Sequence, residues 1–212
     1  MVKKELNKKK SVAGIILSGG LSRRMGADKS KKKISGKTLL QLVLDRSKEQ
    51  VDKIVLNSNK PINDLVIKKT HIEIIKDCIS GNLGPLVGIL SGIKWARKQE
   101  CYNWLVSFPI DSPFFPDDLV SKFLESSQHY DVLLAESCGR IHPVFSMWKL
   151  DLEVLLEESL NNGIRKIDEF TKKIKTGVVN FPDIGYDPFF NVNTLEDLEK
   201  AEEIFLNTRM AE

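Results

Sequence analysis

VAGIILSGGLSRRMGADK, residues 12–29, passes from an unbroken apolar run into a loop that holds Gly19, Gly20, Arg23, Arg24 and Lys29. A short continuous apolar run bounded by glycines reads as a strand buried on both faces, as at the centre of a parallel sheet. Gly19 and Gly20 allow the backbone to take φ > 0 and to bring its N–H groups close to a ligand. Consecutive exposed N–H groups form an anion nest. Arg23, Arg24 and Lys29 can add charge-assisted hydrogen bonds to phosphate oxygens. The spacing is neither G-x-x-x-x-G-K-[ST] nor G-x-G-x-x-G. On physical grounds the stretch is a phosphate loop of another kind, or a tight turn followed by an exposed basic segment.

Working outward, strand-like and helix-like segments alternate. Thr38 is placed to cap a helix carrying Leu39, Leu42 and Val43 on one face. Strands are expected at 52–59, 71–77 and 102–111, and a helix at 84–98 with Pro85 in its first turn. A helix is expected over 116–126, with strands at 131–136 and 140–148; Pro143 in the last implies an edge or a bulge. Residues 150–160 and 163–172 read as helical, 177–181 and 188–193 as extended. Thr194 with Asp197 three residues on reads as a capped final helix. This order predicts a single α/β domain over residues 11–212 with a doubly wound, mostly parallel sheet. Ligands of such folds bind at the carboxyl ends of the strands, where the first loop, Asn57–Asn59, Asp77 and Asp111 all fall.

Composition sets the bounds. A chain of 212 residues with 42% hydrophobic and 29% charged residues is an ordinary globular protein, long enough to bury a core without disulfides. Cys78, Cys101 and Cys138 form no C-x-x-C pair; they are expected as small packing residues in a reducing, cytoplasmic setting. No apolar run approaches the ~20 residues of a membrane span. The charge is lopsided. Residues 1–37 carry ten lysines and two arginines against Glu5 and Asp28, a net +10, and the remainder is net −7. That asymmetry points to an anionic ligand or nucleic acid near residues 20–37, or to lysines that keep a disordered tail (1–10) in solution. A non-catalytic RNA-binding module fits poorly, because residues 1–37 hold no aromatic side chain on which a base could stack.

The pattern L-[AS]-G-G-x-S-x-R-M-G-x-D-K, present as LSGGLSRRMGADK (17–29), resembles the signature of the molybdenum cofactor guanylyltransferase family. The resemblance extends through NSN (57–59), IIKD (74–77), GPLVG (84–88), FPIDSPFFP (108–116), His142-Pro143 and FNVNTLEDL (190–198), covering residues 12–206. Ser18 stands where alanine is usual and Thr38 where proline is common; neither alters a charged position. The lysines at 31–33 are not required by the resemblance.

The resemblance implies a Rossmann-like nucleotidyltransferase fold and transfer of GMP from GTP to the terminal phosphate of molybdopterin, with Mg²⁺ as cofactor. It implies that Leu17, Ser18 and Gly19 meet the nucleotide through backbone, with Gly20 beside them; Leu17's own side chain reads as core. Lys29 is implied at the GTP phosphates, with Arg24 assisting. Asp28 orients one of these cations or simply lies at the surface. Asn57 and Asp77 are implied nucleotide contacts; Asn57 alternatively satisfies turn backbone. The Asp77 carboxylate can accept from guanine N1–H and N2–H₂ together, which selects guanine. Asp111, at a strand end before the rigid Ser112-Pro113, suits Mg²⁺, which takes one or two carboxylates plus phosphate oxygens and water. Asn191 and Asn193, two apart on an extended segment, and His142 are implied on the pterin side; His142 alternatively serves structure and Asn193 helps to cap the last helix. Contact with other cofactor-biosynthesis proteins or acceptor apoenzymes is a further implication, and neither nucleic acid nor membrane is an expected partner. The alternative within the same fold is a cytidylyl- or sugar-phosphate nucleotidyltransferase.

Overall fold

The computed structural model describes residues 11–19, 33–61, 70–81 and 83–210. Among these residues seven strands form one sheet: β1 (Val12–Leu17), β4 (Lys53–Asn57), β5 (Glu73–Ile75), β6 (Trp104–Pro109), β7 (Val132–Ser137), β8 (Arg140–Lys149) and β9 (Thr176–Asn180). Their order is β5-β4-β1-β6-β8-β7-β9. β1 pairs parallel with β4 and β6, β4 with β5, and β7 with β9; β8 alone runs antiparallel, between β6 and β7. The apolar run at 12–17 is therefore a central strand, fully buried as expected. Pro143 lies in an interior strand, not an edge, and the sheet absorbs it by a register shift: Leu134 faces Ser146 while Ala135 faces His142.

Alternation along β1 divides the core in two. Ala13, Ile15 and Leu17 face α2 (Pro85–Arg97), α4 (Glu153–Asn161) and α5 (Ile167–Thr171). Val12 and Ile16 face α1 (Leu39–Ser47) and α3 (Leu119–Ser126). Helices thus cover both faces, as a mostly parallel sheet demands. Gly88 and Gly92, one turn apart, bring α2 down onto β1: a Cβ at Gly92 would lie 2.8 Å from both Ile15 and Leu105 side chains. Gly84 leads into α2 with φ 78° and ψ −168°, a conformation all but closed to other residues.

A third cluster joins Ile34, Leu39, Leu42, Phe114 and Val192 to Ala201 and Ile204 of α6 (Leu195–Met210). Ile34 belongs to a hairpin the sequence reading did not anticipate, β2 (Lys33–Ile34) and β3 (Lys37–Thr38). Its Ser35-Gly36 turn has φ of 47° and 83°, the positive pair that a two-residue hairpin turn requires. Residues 188–193 join no strand; they make a turn and then a stretch outside regular secondary structure. All three cysteines are exposed, contrary to the packing role expected of them: Cys78 and Cys101 sit in loops and Cys138 in the β7–β8 turn. Among the described residues no helix is long and apolar enough to cross a membrane.

Candidate active site

The register of the parallel strands puts Leu17, Asn57, Ile75 and Pro109 side by side at one rim of the sheet. Everything that follows those residues emerges together: Ser18-Gly19 after β1, Ser58-Asn59 after β4, Asp77 after β5 and Asp111 after β6. Backbone bonds tie the exits to one another. Ser18 N donates to Asn57 O (3.2 Å), Ile110 N to Leu17 O (3.1 Å) and Ser58 N to Ile75 O (2.9 Å). The Ser18 hydroxyl also donates to Asn57 O (2.6 Å). Leu17's side chain is core, as read. Gly19 is exposed, is not among the positive-φ glycines, and a Cβ there would meet none of the described residues within 4 Å. Its expected freedom to take positive φ is therefore not used. Gly20, Arg23, Arg24, Asp28 and Lys29 lie outside the described residues.

Asp77 sits in a bracket of amides. Asn57 Nδ2 donates to its Oδ1 (3.0 Å) and Asn59 Nδ2 to its Oδ2 (2.6 Å), while Asp77 N–H donates to Asn59 Oδ1 (2.9 Å). Asn57 is only 4% exposed. Its side chain is directed at Asp77 and packed beneath Gly88, where a Cβ would fall 2.7 Å from Asn57 Oδ1. The role of Asn59 was missed in the sequence, although its spacing of two from Asn57 is the signal: alternate residues share a face.

Asp111 is half-buried, and its backbone oxygen accepts from Val192 N at 2.7 Å. The buried Ser112 hydroxyl donates to Asn191 Oδ1. These two bonds bring the 191–193 stretch to the end of β6, which sequence separation alone does not reveal. Asn193 is held from the other side: its N–H and that of Thr194 donate to Asp197 Oδ2 (2.8 Å each), and Asp197 N donates to Thr194 Oγ1 (3.0 Å). Burial would raise the Asp197 carboxyl, but these hydrogen bonds outweigh it and hold it below its ordinary value.

His142 has protein partners of its own. The Ser137 hydroxyl donates to Asp187 Oδ1 (2.6 Å) and lies 2.8 Å from His142 Nε2. A hydroxyl whose proton goes to Asp187 must accept from the ring, which assigns the Nε2–H tautomer. Phe189 packs on the imidazole at 4.8 Å, and Phe189 N donates to the same Asp187 oxygen (2.9 Å). This clasp fastens the segment leading into Asn191 to the β7–β8 pair.

A metal at this rim would draw on the Asp111 carboxylate. Among the described residues no group of three or more His, Cys, Asp or Glu forms a cage. A single carboxylate fits a hard cation whose remaining ligands are phosphate oxygens and water, and does not fit zinc.

Residues 14–174 match the MobA-like NTP transferase domain. The chain is 39% identical over 197 residues to the molybdenum cofactor guanylyltransferase of Rhodopseudomonas palustris (strain BisB5), covering 91% of this chain and 93% of that protein. Its fold is similar to the crystal structure of molybdopterin-guanine dinucleotide biosynthesis protein A from Archaeoglobus fulgidus, with a TM-score of 0.70, 26% identity, and coverage of 92% of this chain and 99% of that one. It shares its fold as well with 4-diphosphocytidyl-2C-methyl-D-erythritol synthase from Anaerococcus prevotii (TM-score 0.73, 15% identity, 93% of this chain and 96% of that one). With a relative this close over nearly its whole length, and a rim of polar residues at the strand ends where such folds bind ligands, the chain belongs to the molybdenum cofactor guanylyltransferase family of MobA-like NTP transferases.

Proposed function

We propose that this protein transfers GMP from GTP to the terminal phosphate of molybdopterin, releasing pyrophosphate and forming molybdopterin guanine dinucleotide. The observation that carries the reading is the grouping of Ser18-Gly19, Asn59, Asp77 and Asp111 at the carboxyl ends of four adjacent parallel strands, in a chain similar over 91% of its length to a guanylyltransferase. A phosphate oxygen of molybdopterin attacks the α-phosphorus of GTP. The new P–O bond forms as the bond to the bridging oxygen breaks, and pyrophosphate leaves with the electron pair. The nucleophile needs no general base, because a phosphate monoester has a second pKa near ~6 and is largely dianionic at neutral pH.

The residues divide the remaining work. The backbone of Ser18 and Gly19 meets the nucleotide at the β1 exit, and Gly20 is a further nucleotide-binding residue. Lys29, assisted by Arg24, stabilises the charge that grows on the leaving pyrophosphate. Asp77, held by Asn57, accepts from the guanine edge. Asn191 and Asn193 take the pterin side, and His142 acts there by holding Asp187 and so the segment before them. The Asp111 carboxylate would hold Mg²⁺, which would supply charge neutralisation at the reacting phosphates. Alignment and charge stabilisation then carry the rate. Use of GTP supports a cytoplasmic setting, and transient contact with acceptor apoenzymes or other cofactor-biosynthesis proteins fits the same reading.

Calorimetric titration with GTP, CTP, ATP and UTP, with and without Mg²⁺, tests this. Selective, Mg²⁺-dependent GTP binding is expected, with the Mg²⁺ dependence lost in Asp111→Ala. Preference for CTP would move the chain to a cytidylyl activity on the shared scaffold, and absence of nucleotide binding would remove the enzymatic reading altogether.

A further inference from the structure

Asn59 is exposed, and both of its side-chain hydrogen bonds go to Asp77. Its amide closes a ring: Oδ1 receives the Asp77 N–H while Nδ2 donates to the Asp77 carboxylate. The other carboxylate oxygen is taken by the buried Asn57, which lies beneath α2 at Gly88. The carboxylate is thus gripped at each oxygen by a different amide and cannot rotate without breaking both bonds. A carboxylate has about four lone-pair sites. Two are occupied here, which leaves one on each oxygen, the arrangement that two parallel N–H donors satisfy.

We propose that Asn59 is a positioning residue for base selectivity, locking the Asp77 carboxylate so that its two remaining acceptor sites demand both N1–H and N2–H₂ of a purine. The proposal rests on the reading of Asp77 as the guanine contact. A carboxylate free to turn adjusts to a base that offers one donor. A locked one leaves an acceptor unpaired, and rejection comes from that unpaired group. Guanine supplies both donors. Hypoxanthine supplies N1–H alone, and adenine presents a bare N1 to a carboxylate oxygen. Asn59 would therefore matter for the comparison of GTP with ITP, two ligands with the same triphosphate.

The test is calorimetric titration of the full chain with GTP and ITP in Mg²⁺, for wild type, Asn59→Ala, Asn59→Asp and Asp77→Ala, each first checked for a wild-type-like melt. Wild type is expected to bind GTP about tenfold or more tightly than ITP, the scale of one hydrogen bond to a charged acceptor. Asn59→Ala is expected to cut that ratio to about threefold or less, by weakening GTP while leaving ITP within about twofold. Asn59→Asp, of the same size but lacking the donor and adding a charge, is expected to do the same. Equal weakening of GTP and ITP, or an unchanged ratio in both Asn59 variants, would overturn the proposal. Asp77→Ala separates the layers. If it abolishes the preference while the Asn59 variants keep it, the positioning role falls and the guanine contact stands; if it keeps the preference, the guanine contact itself falls.

Discussion

The Ser137–His142–Asp187 clasp shows at the scale of single residues how burial sets a protonation state. Burial pushes the His142 imidazole below its ordinary 6.5; Arg140 acts in the same direction, and the Asp187 carboxylate opposes without prevailing. The unfolded chain therefore binds a proton more readily than the native state, so stability rises with pH across the window between the two pKa values. The contribution is complete above 6.5 and is lost as pH falls through the lower, native value. Urea unfolding at pH 7.5 and pH 5 is expected to show a smaller loss of stability in His142→Gln than in wild type, with the excess wild-type loss belonging to this ring. His142 stood out in the sequence beside Pro143. Its partner Asp187 did not, because 45 residues separate them and only the fold makes them neighbours.

Among the elements, α2 is closely fitted to the sheet. Its entry is fixed by Gly84 and Pro85, and its face toward the sheet is opened by Gly88 and Gly92. The helix and its proline start are legible in GPLVGILSGIKWARK; that Gly88 holds Asn57 in place is not, since it depends on how far the helix sinks. Gly88→Ala forces a Cβ to within 2.7 Å of both Asn57 Oδ1 and Leu17 Cδ2. It is expected to cost about 1–3 kcal/mol in urea unfolding, the usual penalty of overpacking, and to weaken GTP binding in calorimetry through Asn57 and Asp77. The β2–β3 hairpin is a similar case. Two-residue strands carry too little hydrophobic periodicity to be read, and only the Ser35-Gly36 turn marks them.

At the scale of the molecule, α6 closes the structure. It packs Ala201 and Ile204 against Ile34, Leu39, Phe114 and Val192, and its Glu202 accepts from Ser35 N (2.9 Å) and from the Ser35 hydroxyl (2.7 Å). The last helix thereby supports both the hairpin that follows the first loop and the stretch that carries Asn191 and Asn193. Ile204→Ala is expected to cost roughly 2–4 kcal/mol, as for other large-to-small core changes, measured by urea unfolding. A change at a surface helix position of the same propensity is expected to cost far less.

The local signals were sufficient for the doubly wound plan. An apolar run, a helix with proline at its start and a T-x-x-D cap are each set by neighbours a few residues away, where chain geometry leaves little choice. They were sufficient as well to place Asp77, Asn57 and Asp111 at strand ends, because a polar residue that terminates a buried strand must emerge at the rim. Tertiary structure decided the rest. The exposure of the three cysteines, the antiparallel β8 inside the sheet, the amide bracket on Asp77 and the bonds of Asn191 to Ser112 and of Val192 to Asp111 depend on which distant segments meet. Such meetings follow from packing and register over the whole chain, and no window of sequence contains both partners.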